Sequence, residues 1–186
     1  MQNVSVASIM TRDVKTITDN ESLQQSCKVM NANKIGSVIV VSSDSGTRVP
    51  VGIITERDVI NHIAMDVSRV HTRAGELMSR PLVTILPTTS LRDALRIIVS
   101  KNIRHLPVVE SDGGVLVGMV TDKDIYRAIV KDEALIAGLM SDEMLIEHIG
   151  RLEQPWVYKL GEILHRRMGS SSSSSRDGDI GPQKNA

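Results

Sequence analysis

The residues of this chain that could do chemistry together form two copies of one short pattern. Each copy has the spacing Gly-x-x-Thr-x-x-Asp at a point where a predicted strand passes into a predicted helix. The helix N-terminus there offers unpaired N–H groups to a phosphate, and an ionised aspartate accepts hydrogen bonds from a diol such as ribose. The pattern therefore indicates a site for a phosphorylated sugar. The two copies are Gly52, Thr55 and Asp58, and Gly118, Thr121 and Asp124.

Neighbouring residues fit the same chemistry. Glycine has no side chain, so Gly52 and Gly118 let another group approach the backbone closely. Arg57 and Lys123 lie beside the two aspartates in sequence and could reach phosphates that turn outward. A cation in both copies, and the cleft that two paired copies would create, favour the binding interpretation.

A purely structural interpretation remains open for the same residues. Thr-x-x-Asp is close to a capping box, in which the threonine caps the helix and the acid returns to the backbone N–H of the cap. Duplication does not decide between the two interpretations, because a duplicated fold element keeps its caps.

A second signal lies in Asn102–Val109, which contains Arg104, His105 and Pro107. Proline removes a donor from a strand, so we expect Pro107 at an edge strand or at a strand start, with the two basic residues near its mouth. The alternative is an edge strand with solvated basic side chains. The first copy has Ile39 where Pro107 stands and lacks the basic pair, so the sequence predicts two clefts that are not equivalent.

The chain repeats more than these motifs. Ala7–Arg12 resembles Gly75–Arg80, and Val51–Ile60 resembles Val117–Tyr126. Two copies of this length are too few and too long for a solenoid. They predict two small, similar domains packed as a pseudo-twofold pair, with function where the copies meet.

Each copy is predicted to contain strand, helix, strand, strand and helix, an α/β (α+β) unit with helices covering a sheet. In the first copy, Thr18 and Glu21 have capping-box spacing, and Leu23, Cys27 and Met30 lie on one helical face. In the second copy the helix opens at Ser90 and buries Leu91, Leu95 and Ile98. The predicted strands are Val14–Ile17, Ser37–Val41 and Val49–Ile54, then Val83–Ile85, His105–Val109 and Val115–Val120, and the second helices start at Thr55 and Thr121.

The predicted domains follow from this order. Residues 5–65 and 73–131 form the two units, and 66–72 link them. Residues 132–168 form a helical extension with amphipathic helices in 141–167, and the serine-rich residues 169–186 form a disordered tail.

Composition excludes several classes of function. Lys plus Arg equal Asp plus Glu at 22 each, and aromatic residues make up 2%, which argues against nucleic-acid binding. Cys27 is the only cysteine and aligns with Leu95 on an apolar stripe, so we expect core packing. The five histidines have no metal-ligand spacing, and no nucleophile has a neighbouring base, so we expect no metal and no catalysis. Without a signal peptide or a membrane-spanning stretch, we expect a cytoplasmic protein that inserts into no membrane.

These motifs resemble those of a tandem pair of CBS domains, named after cystathionine β-synthase. The resemblance covers residues 5–131. It rests on the Met-Thr and Met-Ser lead-ins, on Gly36–Val41 and His105–Val109, and above all on both Gly-x-x-Thr-x-x-Asp junctions. It implies β-α-β-β-α units, a head-to-head pair and a disc-like homodimer.

The resemblance also implies an adenosine-type ligand in two clefts: AMP, ADP, ATP, S-adenosylmethionine or a cyclic dinucleotide. The ribose would bind Asp58 and Asp124, the phosphates Thr55 and Thr121, and the adenine pocket would include Thr16 and Thr84. Further phosphate partners would be Arg57, Arg104, His105 and Lys123, with Pro107 shaping the second cleft.

The expected function is a stand-alone adenine-nucleotide-binding regulatory module with no catalytic activity. A ligand that binds one arrangement of the repeats better would shift the protein toward it. Residues 141–167 would pass that change to a partner protein or a second protomer, or would form a lid on the pair. Two alternatives are a ligand-free dimerising scaffold, and an enzyme of the IMP dehydrogenase type. The enzyme would need a reactive cysteine on a loop, whereas Cys27 is predicted to be buried in a helix.

Overall fold

A computed structural model describes residues 4–111 and 114–131, and the predictions for residues 132–168 and 169–186 lie outside the described residues. The first repeat begins with a 3-10 helix, Val6–Ser8, and continues with β1 (Thr16–Thr18), α1 (Leu23–Asn33), β2 (Ser37–Val41), β3 (Pro50–Thr55) and α2 (Glu56–Met65). A 3-10 helix, Val67–His71, leads to α3 (Ala74–Leu77), α4 (Leu91–Lys101), β4 (His105–Val109), β5 (Leu116–Thr121) and α5 (Asp122–Lys131).

The helix α1 begins one turn later than the sequence indicates. Thr18 is still extended, because it is the last residue of β1 and pairs with Val41. Ser22 is the N-cap, and its side chain accepts a hydrogen bond from the Gln25 N–H at 3.2 Å. The predicted Thr18–Glu21 pair does form, with the Thr18 N–H 2.6 Å from Glu21 Oε2, but it lies before the helix. The expectation that Thr18 opens α1 is therefore wrong.

The buried face of α1 also differs from the prediction by one residue. Leu23, Ser26 and Met30 are buried, whereas Cys27 is half-buried. The prediction of a buried Cys27 is wrong in degree, because the small Ser26 takes the inward position. Partial burial still raises the pKa of the Cys27 thiol, which disfavours the reactive thiolate.

The second repeat confirms its predicted helix. Ser90 caps α4 by accepting a hydrogen bond from the Asp93 N–H at 3.1 Å. Leu91, Leu95 and Ile98 are all buried, as their helical spacing predicts.

The two sheets differ in size. The first has the order β1-β2-β3, with β1 parallel to β2 and β2 antiparallel to β3. The second contains β4 and β5, and a single parallel bridge from Ile85 to Val108 takes the place of an opening strand. The predicted strand Val83–Ile85 is therefore wrong, because Pro107 and Pro87 lack N–H groups at the positions from which the first repeat bonds β1 to β2.

The segment that opens each repeat, here called its lead-in (residues 6–12 and 74–80), packs against the other repeat. Thr11 pairs with Met119 of β5 through two hydrogen bonds of 2.9 Å. Ser79 pairs with Ile53 of β3 in the same way, at 2.9 and 3.2 Å. These two bridges join aligned positions of the two repeats, which is what a pseudo-twofold pair requires.

The hydrophobic cores follow the same exchange. Val6 and Met10 of the first lead-in are buried in the core of the second repeat. Ala74 and Leu77 of the second lead-in are buried in the core of the first repeat. A third cluster joins the two sheets, and its buried members are Val14, Ile39, Val41 and Leu116. The repeats therefore stabilise each other by burying each other's apolar lead-ins.

None of the helices in residues 4–111 and 114–131 combines the length and apolar character needed to cross a membrane.

Candidate functional site

Each Gly-x-x-Thr-x-x-Asp pattern lies at a strand-to-helix junction, as predicted. In the first junction, β3 ends at Thr55, which is also the N-cap of α2. Asp58 Oδ2 accepts hydrogen bonds from the Thr55 N–H at 2.8 Å and from Thr55 Oγ1 at 2.7 Å, and the Asp58 N–H donates to Thr55 Oγ1 at 3.3 Å. These contacts form a complete capping box.

The second junction has the same geometry. Asp124 Oδ2 accepts from the Thr121 N–H at 3.0 Å and from Thr121 Oγ1 at 2.7 Å. The Asp124 N–H donates to Thr121 Oγ1 at 3.3 Å. The capping interpretation that the sequence left open therefore describes both carboxylates in this structure.

Capping employs only one oxygen of each carboxylate. Asp58 Oδ1 accepts a hydrogen bond from Ser79 Oγ at 3.2 Å, and Asp124 Oδ1 lies 3.5 Å from Arg127 Nη1. An ionised carboxylate has about four lone-pair sites, so each Oδ1 keeps acceptor capacity beyond these contacts. Capping and binding of a diol are thus compatible at each junction.

The two junction glycines do admit a close neighbour, and that neighbour is a methionine of the exchanged lead-in. A Cβ on Gly118 would lie 2.6 Å from Met10 Sδ and 3.2 Å from the Thr11 carbonyl oxygen. A Cβ on Gly52 would collide with the Sδ atom of Met78. The glycines therefore serve the packing between repeats.

The basic residues gather at the second junction. His105 pairs in register with Thr121, and the charges of Asp122, Arg104, Lys123 and Asp124 act on its ring. Burial lowers the pKa of His105; the charge of Asp122 opposes this shift, while that of Arg104 adds to it. Arg104 and Lys123 are exposed and His105 is half-buried. The structure thus places His105, Arg104, Lys123, Thr121 and Asp124 at one junction, while their role in binding stays a prediction.

The first junction has a single predicted cation, Arg57, which is exposed. Ser37 occupies the register position opposite Thr55, where the second junction has His105 opposite Thr121. The Glu56 carboxylate lies over Gly36, so close that a Cβ added to Gly36 would be 3.2 Å from Glu56 Oε2. The two junctions therefore differ in charge as well as in sheet size.

Pro107 occupies the middle of β4, opposite Met119, and is buried. Its strand pairs with β5 on one side and, among the described residues, meets only Ile85 on the other, so the edge position that proline predicts is confirmed. The alternative of a wholly solvated edge does not describe this buried residue.

The predicted adenine-pocket threonines lie on the opening segments of the two repeats. Thr16 is in β1 and pairs with Ile39, whereas Thr84 precedes the Ile85 bridge without belonging to a strand. Both are half-buried, and within the described residues neither side chain hydrogen-bonds to the junction aspartates.

Two site residues were missed by sequence reasoning. Ser79 contacts Asp58 from the other repeat's lead-in, and its only signal was its place in the Met-Ser motif. Arg127 contacts Asp124 from one turn along α5, and the i, i+3 spacing of opposite charges was the signal.

Over residues 4–111 and 114–131, no three histidine, cysteine, aspartate or glutamate side chains converge as metal ligands would.

Comparison with known protein families identifies the CBS domain. The sequence model of that family matches residues 6–65 and again residues 74–131. An uncharacterised protein of Methanopyrus kandleri is 34% identical over 145 residues, covering 77% of this chain and 70% of that protein. The CBS domain-containing protein YhcV of Bacillus subtilis is 31% identical over 121 residues, covering 65% of this chain and 82% of YhcV.

Solved structures give the same architecture. The CBS domain pair of the protein MJ0100, in complex with 5'-methylthioadenosine and S-adenosyl-L-methionine, aligns with a TM-score of 0.59 at 26% identity, covering 68% of this chain and 95% of that chain. The CBS domain protein PAE2072 of Pyrobaculum aerophilum, complexed with AMP, has a TM-score of 0.62 at 22% identity, covering 74% of this chain and 99% of that chain. At that lower identity, the second likeness concerns the fold alone.

Some relatives carry the names of enzymes. An inosine-5'-monophosphate dehydrogenase of Nitrosopumilus maritimus is 30% identical over 118 residues, but this chain covers only 23% of its length. A homoserine O-acetyltransferase of Methanohalobium evestigatum matches over 25% of its length. Such matches concern a part of each enzyme.

Proposed function

This chain belongs to the CBS-domain family and carries two copies of the domain, and on that premise we propose that it is a regulatory module. In this proposal it binds an adenosine-type ligand at its strand-to-helix junctions and has no catalytic activity of its own. The observation that carries the proposal is the spare carboxylate oxygen at both junctions, which adjoins a helix N-terminus. Asp58 and Asp124 would bind the ribose hydroxyls, and Thr55 and Thr121 would adjoin the phosphates.

The class of ligand is supported by a relative. The MJ0100 domain pair, 26% identical, was solved with 5'-methylthioadenosine and S-adenosyl-L-methionine, both of which contain an adenosine with a ribose diol. We therefore propose AMP, ADP, ATP or S-adenosylmethionine as ligands, with Thr16 and Thr84 near the adenine. Arg57, Arg104, His105 and Lys123 would contact phosphates, and the buried Pro107 would shape the second site.

The exchanged lead-ins suggest how a ligand could act as a signal. Ser79 Oγ donates to Asp58 Oδ1, the oxygen that a ribose hydroxyl would use. The backbone of Ser79 is bonded to Ile53, and the lead-in continues into the second repeat. A ligand that takes the place of Ser79 would loosen one contact between the repeats, and it would therefore favour a different arrangement of the pair.

Calorimetry on the full chain tests this function, with AMP, ATP and S-adenosylmethionine as the titrants. We expect wild type to bind at least one of them, and Asp124→Ala to lose the heat of binding at its own site. Asp93→Ala is the matched control. Asp93 also closes a cap, with Ser90 Oγ 2.6 Å from Asp93 Oδ2, but it lies on α4, away from either junction.

Stability separates the two interpretations of the aspartates. Loss of a capping group costs about 1 kcal/mol of unfolding free energy, so Asp93→Ala and Asp124→Ala should be destabilised similarly. If wild type and Asp124→Ala give the same heat of binding, or if none of the three titrants binds, the proposal is wrong. The complete capping boxes would then favour the second candidate, a ligand-free dimerising scaffold.

A homodimer is part of the proposal. The exposed apolar side chains on and beside α2 are Ile60, Met65 and Val67, at 66%, 76% and 71% exposure. Burial of such side chains is the ordinary driving force of association between copies, and a native mass spectrum of freshly purified protein would report dimer and bound nucleotide together. A protein partner at residues 141–167 and a cytoplasmic location stay predictions.

A further inference from the structure

The two junctions carry opposite net charge at aligned positions. The second has three cations, Arg104, Lys123 and Arg127, beside Asp122 and Asp124. The first has Gly36, Arg57 and Asn61 at the positions of these cations, beside Glu56 and Asp58. At these positions the second junction is formally positive by one charge and the first is formally negative by one.

The placement of Glu56 strengthens this difference. Its carboxylate lies against Gly36, within 3.2 Å of where a Cβ would stand. Gly36 aligns with Arg104, and the backbone carbonyls of both make the same hydrogen bond. The Gly36 carbonyl accepts from the Glu56 N–H at 3.0 Å, and the Arg104 carbonyl accepts from the Asp122 N–H at 3.1 Å. The same backbone position thus faces a carboxylate in the first repeat and bears a guanidinium in the second.

The spare aspartate oxygens also have different neighbours. Arg127 Nη1 lies 3.5 Å from Asp124 Oδ1, and 71% of the Arg127 side chain is exposed. In the first repeat, Asn61 stands at that position and the neutral Ser79 hydroxyl contacts Asp58 Oδ1. An ion pair at 3.5 Å with an exposed cation is weak, so Arg127 can leave the half-buried Asp124 for a phosphate at little cost. Its departure would free the Asp124 oxygen for a sugar hydroxyl.

Lys34 is the cation of the first repeat that aligns with the neutral Asn102. It lies at the left-handed C-cap of α1, where a cation is favoured by the last carbonyls of the helix. It therefore does not belong to the strand-to-helix junction that the other positions form.

We infer that the two junctions take adenosine-type ligands of different charge. The second takes a di- or triphosphate, with Arg127 as a specificity-determining residue that exchanges Asp124 for a phosphate oxygen. The first takes a ligand with at most one phosphate, or a cationic one, because Glu56 repels a polyphosphate. This inference rests on the proposed function and names the ligand class for each of its two sites.

The test isolates one junction at a time in the full chain. Asp58→Ala leaves the second junction intact, and Asp124→Ala leaves the first. Calorimetric titration of each with adenosine, AMP and ATP gives the ratio of the Kd values for adenosine and ATP. We expect this ratio to favour ATP at the second junction and adenosine at the first.

The residue roles are tested in the same two backgrounds. Arg127→Gln, added to Asp58→Ala, should raise the Kd for ATP roughly fivefold without weakening adenosine, which is the size expected for one exposed charge pair. Glu56→Gln, added to Asp124→Ala, should lower the Kd for ATP by a similar factor. The matched control is Lys131→Gln, an exposed cation about one turn beyond Arg127 on α5, which should leave the ratio unchanged.

The outcomes separate this inference from the function it rests on. If wild type binds neither adenosine nor the nucleotides, the proposed function itself is wrong. If both backgrounds bind with the same ratio of Kd values, or if Arg127→Gln acts no more strongly than Lys131→Gln, the function stands and the division of ligands by charge is wrong.

Discussion

The first and second repeats treat their opening segments differently, although the rest of each unit aligns. In the first repeat, β1 pairs with β2 over Thr16–Thr18, and the Ile39 N–H donates to the Lys15 carbonyl at 3.2 Å. In the second repeat, Pro107 stands where Ile39 does and has no N–H to donate. The carbonyl that aligns with that of Lys15 belongs to Val83. In this segment of the second repeat, Ile85 is the residue whose backbone remains bonded to β4.

Two missing donors therefore explain why the second sheet has two strands and the first has three. The second is Pro87, which stands where the Asp19 N–H donates to the Val41 carbonyl at 3.1 Å. The bonds that need neither proline as a donor survive: the Ile85 N–H donates to the Pro107 carbonyl at 3.0 Å, and the Val109 N–H donates to the Ile85 carbonyl at 2.9 Å. In the described part of the chain, no backbone N–H donates to Val83. Pro107 thus leaves open backbone beside Thr84, on the repeat that also carries the basic residues.

Among the substitutions that test this difference between the repeats, Ile39→Pro should cause the largest loss of stability. It removes the donor to the Lys15 carbonyl and deletes apolar volume at a fully buried position. A lost hydrogen bond with its partner left unpaired, together with lost packing, should lower the unfolding free energy by about 3 kcal/mol. Urea denaturation measures the loss, and amide exchange should show reduced protection in Thr16–Thr18.

The control is Ile39→Val, which keeps the N–H and should cost about 1 kcal/mol. If amide exchange in β1 is the same for both variants, the donor at position 39 does not hold β1, and the explanation of the smaller second sheet is wrong.

Gly118→Ala tests the close contact between an exchanged lead-in and the junction on which it packs. The new methyl group would meet Met10 Sδ and the backbone carbonyl of Thr11, and a backbone atom cannot move aside as a side chain does. Overpacking of this kind costs about 1–3 kcal/mol. We expect thermal unfolding to show that loss. Met10→Ala removes buried volume of its own, so the double variant should lose less than the sum of the two single losses, because the shorter side chain makes room for the methyl group.

Gly36→Ala is the matched control for this change. Its nearest neighbour would be the flexible end of Glu56, so we expect a loss below that of Gly118→Ala. Equal losses at the two glycines would contradict a specific role for the contact between lead-in and junction.

Much of the fold could be predicted because it depends on local pattern. The helix α4 follows from a cap at Ser90 and apolar residues at helical spacing, and both junction caps follow from Thr-x-x-Asp. The start of α1 was wrong because two competing caps, Thr18 and Ser22, lie one turn apart. Pairing with β2 holds Thr18 extended, a tertiary effect that local spacing does not contain.

The exchange of lead-ins could not be predicted from the repeats. Similarity between Ala7–Arg12 and Gly75–Arg80 is the same whether each segment packs on its own repeat or on the other. The contact of Ser79 with Asp58 depends on that choice, so it was missed, whereas Arg127 lies on the same helix as Asp124 and had a local signal. The site residues named from the resemblance stay predictions until binding is measured.

His105 gives the smallest expected effect and one that belongs to the second repeat alone, since Ser37 stands in its place in the first. Burial lowers the pKa of His105 below its ordinary 6.5, so the unfolded chain takes up a proton more readily than the folded one. The contribution to the unfolding free energy is therefore full above about pH 6.5 and is lost as the pH falls toward the folded-state pKa.

Urea denaturation of wild type and His105→Gln between pH 7.5 and 5 measures this contribution as the difference between the two free energies of unfolding. We expect the two curves to converge as the pH falls, whereas His71→Gln, at an exposed position in the linker, should follow wild type throughout.

The affinity for ATP should change with pH in the opposite direction from the stability, rising as the pH falls. A phosphate beside His105 favours its protonated form, so ATP should bind the second junction more tightly at pH 6 than at pH 7.5, and this gain should vanish in His105→Gln. An unchanged gain would place the phosphates away from His105 and would leave Arg104, Lys123 and Arg127 to hold them.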